Sequence, residues 1–222
     1  MSREEKSKDG QYYTVIAGEF RVQVPQDHPE AVRRDYELKD GTHGTKYERA
    51  VKALFGKITD VSFYEGDYGK NLLVTLDKNE ETGDTPVISV GVATNYGEDF
   101  LKKLPSINFE EEVRIRPFAW TPEDSTKERR GIEITMRDEE GLFKKKVHDF
   151  FHDENKNVLH DYPTPEGDVE KYDTEDWKIY FIKARKFLIK YAEENIVPKF
   201  SSTVKPSFEY PTEEIRPEDI GF

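Results

Sequence analysis

Between Ala53 and Asp77 the chain reads ALFGKITDVSFYEGDYGKNLLVTLD, with apolar side chains at Leu54, Ile58, Val61 and Phe63 on one arm and at Leu72, Val74 and Leu76 on the other. The pattern predicts two long strands joined by a tight loop. Gly56 marks an expected bulge or bend in the first of them. From Pro86 to Ala93, Ile88, Val90 and Val92 alternate with Ser89 and Gly91, which predicts a third strand. Asn95 then opens a helical segment with Phe100, Leu101 and Leu104 on one face and Pro105 as its stop. Two further strands are predicted, Val113 to Trp120 and Ile132 to Arg137.

Upstream, Tyr12 to Ala17 and Phe20 to Val24 flank Gly18-Glu19 as a short hairpin. The polar stretch from Gln26 to Thr45 predicts a long loop with one helical turn near Ala31 to Tyr36. Lys46 to Phe55 has good helix formers, yet Tyr47, Arg49, Val51, Ala53 and Phe55 alternate, and continuity with the hairpin favours a strand. Downstream, a helix is capped by Asp173 or Thr174 and carries the stripe Trp177, Tyr180, Phe181, Ala184, Phe187, Leu188 and Tyr191. The stripe is expected to pack on the body of the protein, with a homodimer contact as the alternative. The chain thus reads as mainly β with helices, an α+β class. Its order of strand, strand, strand, helix, strand, strand matches a five-stranded OB-like barrel. The expected organisation is an N-terminal extension with a hairpin (1–45), the barrel with an added strand (46–152), a linker and C-terminal helix (153–200), and a disordered acidic tail (201–222).

Composition narrows the chemistry. The 222 residues hold no cysteine, which excludes disulfides, thiolate metal sites and cysteine nucleophiles. No apolar run reaches the roughly 18 residues of a membrane span, so no membrane partner is expected and a cytoplasmic location is. The net charge of −12 argues against a generic nucleic-acid binder. Much of that charge is local, however. Residues 138–176 carry 13 acids against 5 bases, and a basic groove is compatible with the rest of the chain.

The segment VRIRPFAW places Val113, Ile115 and Pro117 on one strand face and Arg114, Arg116, Phe118 and Trp120 on the other. Two arginines followed by two large aromatics on an outer face suggest a stacking platform with phosphate partners; the alternative is that the aromatics pack under the C-terminal segment. The hairpin loop adds Tyr64, Tyr68 and Lys70, and the connection before the last strand adds Lys127, Arg129 and Arg130. The run GLFKKKVHDFF interleaves Lys144, Lys145 and Lys146 with aromatics, which suits either an extension of such a groove or one more exposed strand. His148, Asp149 and His152 form H-D-F-F-H, a weak echo of a zinc-hydrolase helix with aspartate where its glutamate base belongs. No metal, cofactor or enzymatic activity is expected.

The chain end, PEDIGF, resembles the acidic tip of bacterial single-stranded DNA-binding proteins, matching it in type at Glu218, Asp219, Ile220 and Phe222 and departing at Gly221. YYTVIAGEF, ALFGKITDVSFYEGDYGK and DWKIYFIKARKFL together resemble phage-type OB-fold single-stranded DNA-binding proteins in pattern. The resemblance implies sequence-tolerant coating of single strands in phage replication, recombination or repair, within the host cytoplasm. It also implies recruitment of replication or recombination proteins through the tail. Stacking is then expected from Tyr64, Tyr68, Phe118 and Trp120, and phosphate neutralisation from Lys70, Arg114, Arg116, Lys127, Arg129 and Arg130. A protein-interaction scaffold that does not touch DNA is the rival reading.

Overall fold

The computed structural model describes residues 10–37, 41–66, 69–80 and 82–200. Strands β1 (Gly10–Ile16), β2 (Glu19–Gln23), β3 (Val32–Glu37), β4 (His43–Val51), β5 (Leu54–Gly66), β6 (Gly69–Leu76) and β7 (Thr85–Gly91) precede helix α1 (Asn95–Lys103). Strands β8 (Glu112–Trp120), β9 (Arg129–Arg137) and β10 (Phe143–Lys146) follow, then helix α2 (Thr174–Asn195), with short 3-10 turns at Leu104–Ser106, Val169–Lys171 and Val197–Phe200. All ten strands form one sheet in the order β10-β9-β8-β5-β6-β7-β1-β2-β4-β3. Among the described residues only the β1–β7 pairing is parallel.

The sequence pattern places most elements correctly, but the five-stranded OB barrel is overturned. Closure would require the outer strands of the central five, β7 and β9, to pair with each other. Instead β7 gives its free edge to β1, β9 gives part of its own to β10, and the sheet stays open. The N-terminal hairpin is therefore a continuation of the main sheet. Its turn, Ala17-Gly18, abuts the backbone of Phe118 and Ala119 on β8, and a Cβ at Gly18 would lie 2.4 Å from the Ala119 nitrogen. The expected helical turn near Ala31 to Tyr36 is instead β3, an edge strand. Val32 to Glu37 pair with β4 alone and expose most of their side chains, so they carry no hydrophobic signal of a strand.

Strand β5 holds the two parts of the sheet together. Its first residues, Leu54 to Lys57, pair with β8, and the remainder pairs with β6. The change of direction falls at Gly56, whose φ of +148° side chains rarely adopt and whose Cβ would collide with the Asp77 carboxylate at 2.4 Å. Asp77 uses that space to accept the Lys57 N–H at 2.8 Å, and it gives its own N–H to the Lys57 carbonyl. A register shift follows between Ile58 and Asp60, as expected where a strand is coiled between two neighbours.

Helix α1 lies against both β7 and β9. Thr94 caps it by accepting the Gly97 N–H, and it drives Tyr96, Phe100 and Leu101 into the core beside Val74, Ile88, Ile115 and Ile134. Its outer side chains serve the exposed backbone of β9. Asp99 accepts the Ile132 N–H at 2.6 Å, and Lys103 donates to the Ile132 carbonyl at 2.6 Å while pairing with Asp99 at 2.8 Å. This explains how β8 tolerates a proline, because Pro117, with no N–H to offer, stands opposite Ile132, whose two backbone groups are already satisfied.

Helix α2 starts from a capping box in which Asp173 accepts the Glu175 and Asp176 N–H groups and Asp176 accepts the Asp173 N–H. Ala184, Leu188 and Ala192 seat its later turns against a ring cluster of Phe150, Phe151, Tyr162, Phe187 and Tyr191. Tyr162 is buried, which pushes its phenol up to about 12. Burial pulls the nearby Lys102 ammonium down, but Glu98, 2.7 Å away, with Tyr162 and Asp149, more than offsets this and raises it to about 12.

Two outcomes are expected. Asp99→Ala strands the Ile132 N–H and lowers stability by about 2 kcal/mol, whereas Asp99→Asn, which keeps an acceptor, costs less; urea unfolding measures both. Because Tyr162 and Lys102 hold their protons more tightly when folded, their contribution is complete below about pH 10 and is lost as pH rises through 12. Melting curves across that range should show the decline in the parent protein and a shallower one in Tyr162→Phe.

Candidate functional site

The alternation in β8 places its side chains as anticipated. Val113, Ile115 and Pro117 are buried in the core, and Arg114, Arg116, Phe118 and Trp120 face outward. Register with β9 sets their neighbours: Trp120 stands opposite Arg129, Phe118 opposite Gly131, Arg116 opposite Glu133 and Arg114 opposite Thr135. Trp120 is 50 % exposed and carries the Arg129 guanidinium 5.5 Å from its ring centre, while the chain beyond residue 200 lies outside the described residues. Phe118 lies on the bare backbone of Gly131, where a Cβ would come within 2.8 Å of its ring. The same Cβ would meet the Asp99 carboxylate at 2.6 Å, so glycine there makes room for both groups.

Arg114 and Arg116 converge on Glu133, at 3.2 and 2.9 Å. One carboxylate between two guanidinium groups leaves a local excess of positive charge. The Arg116 Nε is buried without a hydrogen-bond partner. Toward the β10 edge, Phe55 of β5 meets Phe143 of β10 edge-on at 5.3 Å, and Arg137 lies 4.3 Å over the Phe143 ring while bonding Glu112 at 2.6 Å. Along β8 and β9 this face presents four arginines, 114, 116, 129 and 137, against two glutamates, 112 and 133. The distance from Trp120 to Arg114 along β8 is about 20 Å at the usual rise of a strand.

The structure divides the remaining candidates. Arg130 alternates to the other side of β9 from Arg129 and pairs with Glu128. Lys127 is exposed on the loop between β8 and β9. Tyr64 stands opposite Asn71 near the far tip of the β5–β6 hairpin. Lys70, also near that tip, bonds Glu193 of α2 at 2.6 Å and lies 5.1 Å over the Phe63 ring, so it ties the helix to the hairpin. Tyr68 lies outside the described residues, as do Glu218, Asp219, Ile220 and Phe222.

Phe55, Phe143 and Arg137 belong to the same face and are not among the sequence-derived candidates. They come from three separate segments, and only the β5–β8–β9–β10 order brings them together. The available signal was the position of Phe55 beside the core-facing Leu54, which points a large ring outward. Lys145 and Lys146 extend the same edge and are exposed. H-D-F-F-H falls in an irregular segment after β10, where Asp149 accepts the Phe151 N–H and contacts the His152 Nδ1 at 2.9 Å. Among the described residues no group of three or more potential ligands is arranged to hold a metal ion.

No family model, curated protein or solved structure matches the chain. The geometry of this outward face is therefore the ground for a functional reading.

Gly131→Ala should displace the Phe118 ring and also press on the Asp99 carboxylate that accepts the Ile132 N–H. The expected result is a changed ring-proton NMR shift for Phe118 and a modest loss of stability, of order 1–3 kcal/mol as for overpacked sites.

Proposed function

We propose that the chain binds single-stranded DNA without sequence preference along the outward face of β8 and β9, as strands exposed in replication, recombination or repair would require. The observation that carries this reading is the placement of aromatic rings among guanidinium groups on one strand face, Trp120 and Phe55 exposed and Phe118 and Phe143 partly covered: Trp120 with Arg129, Phe118 beside Arg116, and Phe55 with Phe143 and Arg137. Unpaired bases offer flat faces that such rings accept regardless of sequence, and the arginines between them suit the phosphates. Duplex bases are already stacked on each other and cannot use these rings in the same way.

The carboxylates on the face do not oppose this reading. The Glu112–Arg137 pair lies at half-exposed positions, where ion pairs contribute only about 0–1 kcal/mol, so phosphate can displace Glu112 at little cost. Until then the glutamates restrain the guanidinium groups and keep the face from attracting polyanions indiscriminately. The overall charge of −12 acts in the same direction, making binding depend on close contact more than on long-range attraction.

Binding is measured by anisotropy of a labelled oligothymidylate, and by quenching of Trp120 in a Trp177→Phe background, which removes the other of the two tryptophans. Trp120→Ala should weaken binding by about 1–3 kcal/mol without moving the melting temperature. Arg116→Ala should lower the slope of log affinity against log salt by about 0.7, the loss of one phosphate contact to a single strand. Equal affinity for duplex, or unchanged affinity in Trp120→Ala, would refute the proposal, and the second result would favour a protein-interaction scaffold.

A further inference from the structure

We propose that the first half of α2 is a homodimer interface in which two copies of the helix pack antiparallel about a two-fold axis. Ala184, Leu188 and Ala192 are buried and Tyr180 packs against the core, while the opposite side of the earlier turns leaves Ile179 59 % and Ile182 49 % exposed. At 100° per residue these isoleucines lie on the side away from Ala184, so they have no place in the monomer's core. They belong to a row, Glu175, Ile179, Ile182 and Lys186, spaced four, three and four residues apart. That is the interval at which one helix presents a seam to another.

The row is complementary to its own reversed copy. A two-fold axis between Ile179 and Ile182 sets Ile179 of one protomer against Ile182 of the other, and Glu175 against Lys186 at both ends, over a length of about 16 Å. Within one chain Glu175 has only a loose contact with Lys178, at 3.7 Å, and Lys186 has no carboxylate partner among the described residues. Both charges are thus available for the pairing. The same reversal that joins the apolar residues also joins the opposite charges, which a parallel arrangement or an unrelated apolar partner would not require. A second copy of this chain is therefore the occupant the row fits.

Sedimentation velocity over a concentration series reads the association directly, with the far-UV spectrum and melting temperature of each variant as the check on folding. The intact chain should dimerise, and Ile179→Glu should weaken the dimer at least about tenfold while leaving the fold intact. Glu175→Lys and Lys186→Glu should each weaken it, since each puts like charges together. The double variant Glu175→Lys/Lys186→Glu should recover most of the loss, because it restores both opposite pairs. A chain that stays monomeric at every concentration overturns the proposal. So does a dimer indifferent to Ile179→Glu, or double reversal without recovery. Binding of some other protein to this row by a monomeric chain would also overturn it.

Discussion

The fold depends on how the backbone edge of β9 is satisfied where, among the described residues, no strand lies beside it. At Ile132 the work is done by two side chains of α1, with Asp99 taking the N–H and Lys103 the carbonyl. An aspartate and a lysine one turn apart on a helix thus replace one rung of a ladder. Their own pairing fixes the helix relative to the sheet. With α1 clasped to β9 and also against β7, its Phe100 and Leu101 are buried in the core, and those two strands do not pair. Pro117 is then acceptable within β8, and the outward residues that follow it keep their alternation up to Trp120.

The elements themselves were largely legible. Period-two patterns identify β5 to β9, the Thr94-capped and Pro105-bounded segment identifies α1, and the acidic cap at Asp173 identifies α2. What the pattern does not contain is the pairing partner of each edge. Apolar alternation records that a side chain is buried, and it says nothing of which strand satisfies the backbone beside it. A closed five-stranded arrangement and an open ten-stranded one therefore give the same alternation in β7 and β9. β3 escaped notice for a related reason: its strand character comes from backbone bonds to β4, and its side chains face water.

The candidate face was legible in the same uneven way. Residues contributed by one strand, Arg114, Arg116, Phe118 and Trp120, follow from local parity. Their register partners Arg129 and Glu133 follow only once β9 is aligned, and Phe55 and Phe143 only once the whole sheet order is known. The ion pair of Lys70 was illegible for the same reason, since its partner Glu193 comes from α2, more than a hundred residues later.

The ends of the sheet carry a consequence for behaviour in a crowded cell. An open sheet, unlike a closed one, has two outermost strands, here β3 and β10, each with a row of backbone groups able to recruit a strand from another molecule. β3 lines its edge with Arg33, Arg34 and Asp35, and β10 with Lys144, Lys145 and Lys146, beside a shift of register after Phe143. Desolvating those charges to extend the sheet is unfavourable, and two copies of β10 meeting edge to edge would repel. Fibrillar growth by strand addition is opposed at both ends.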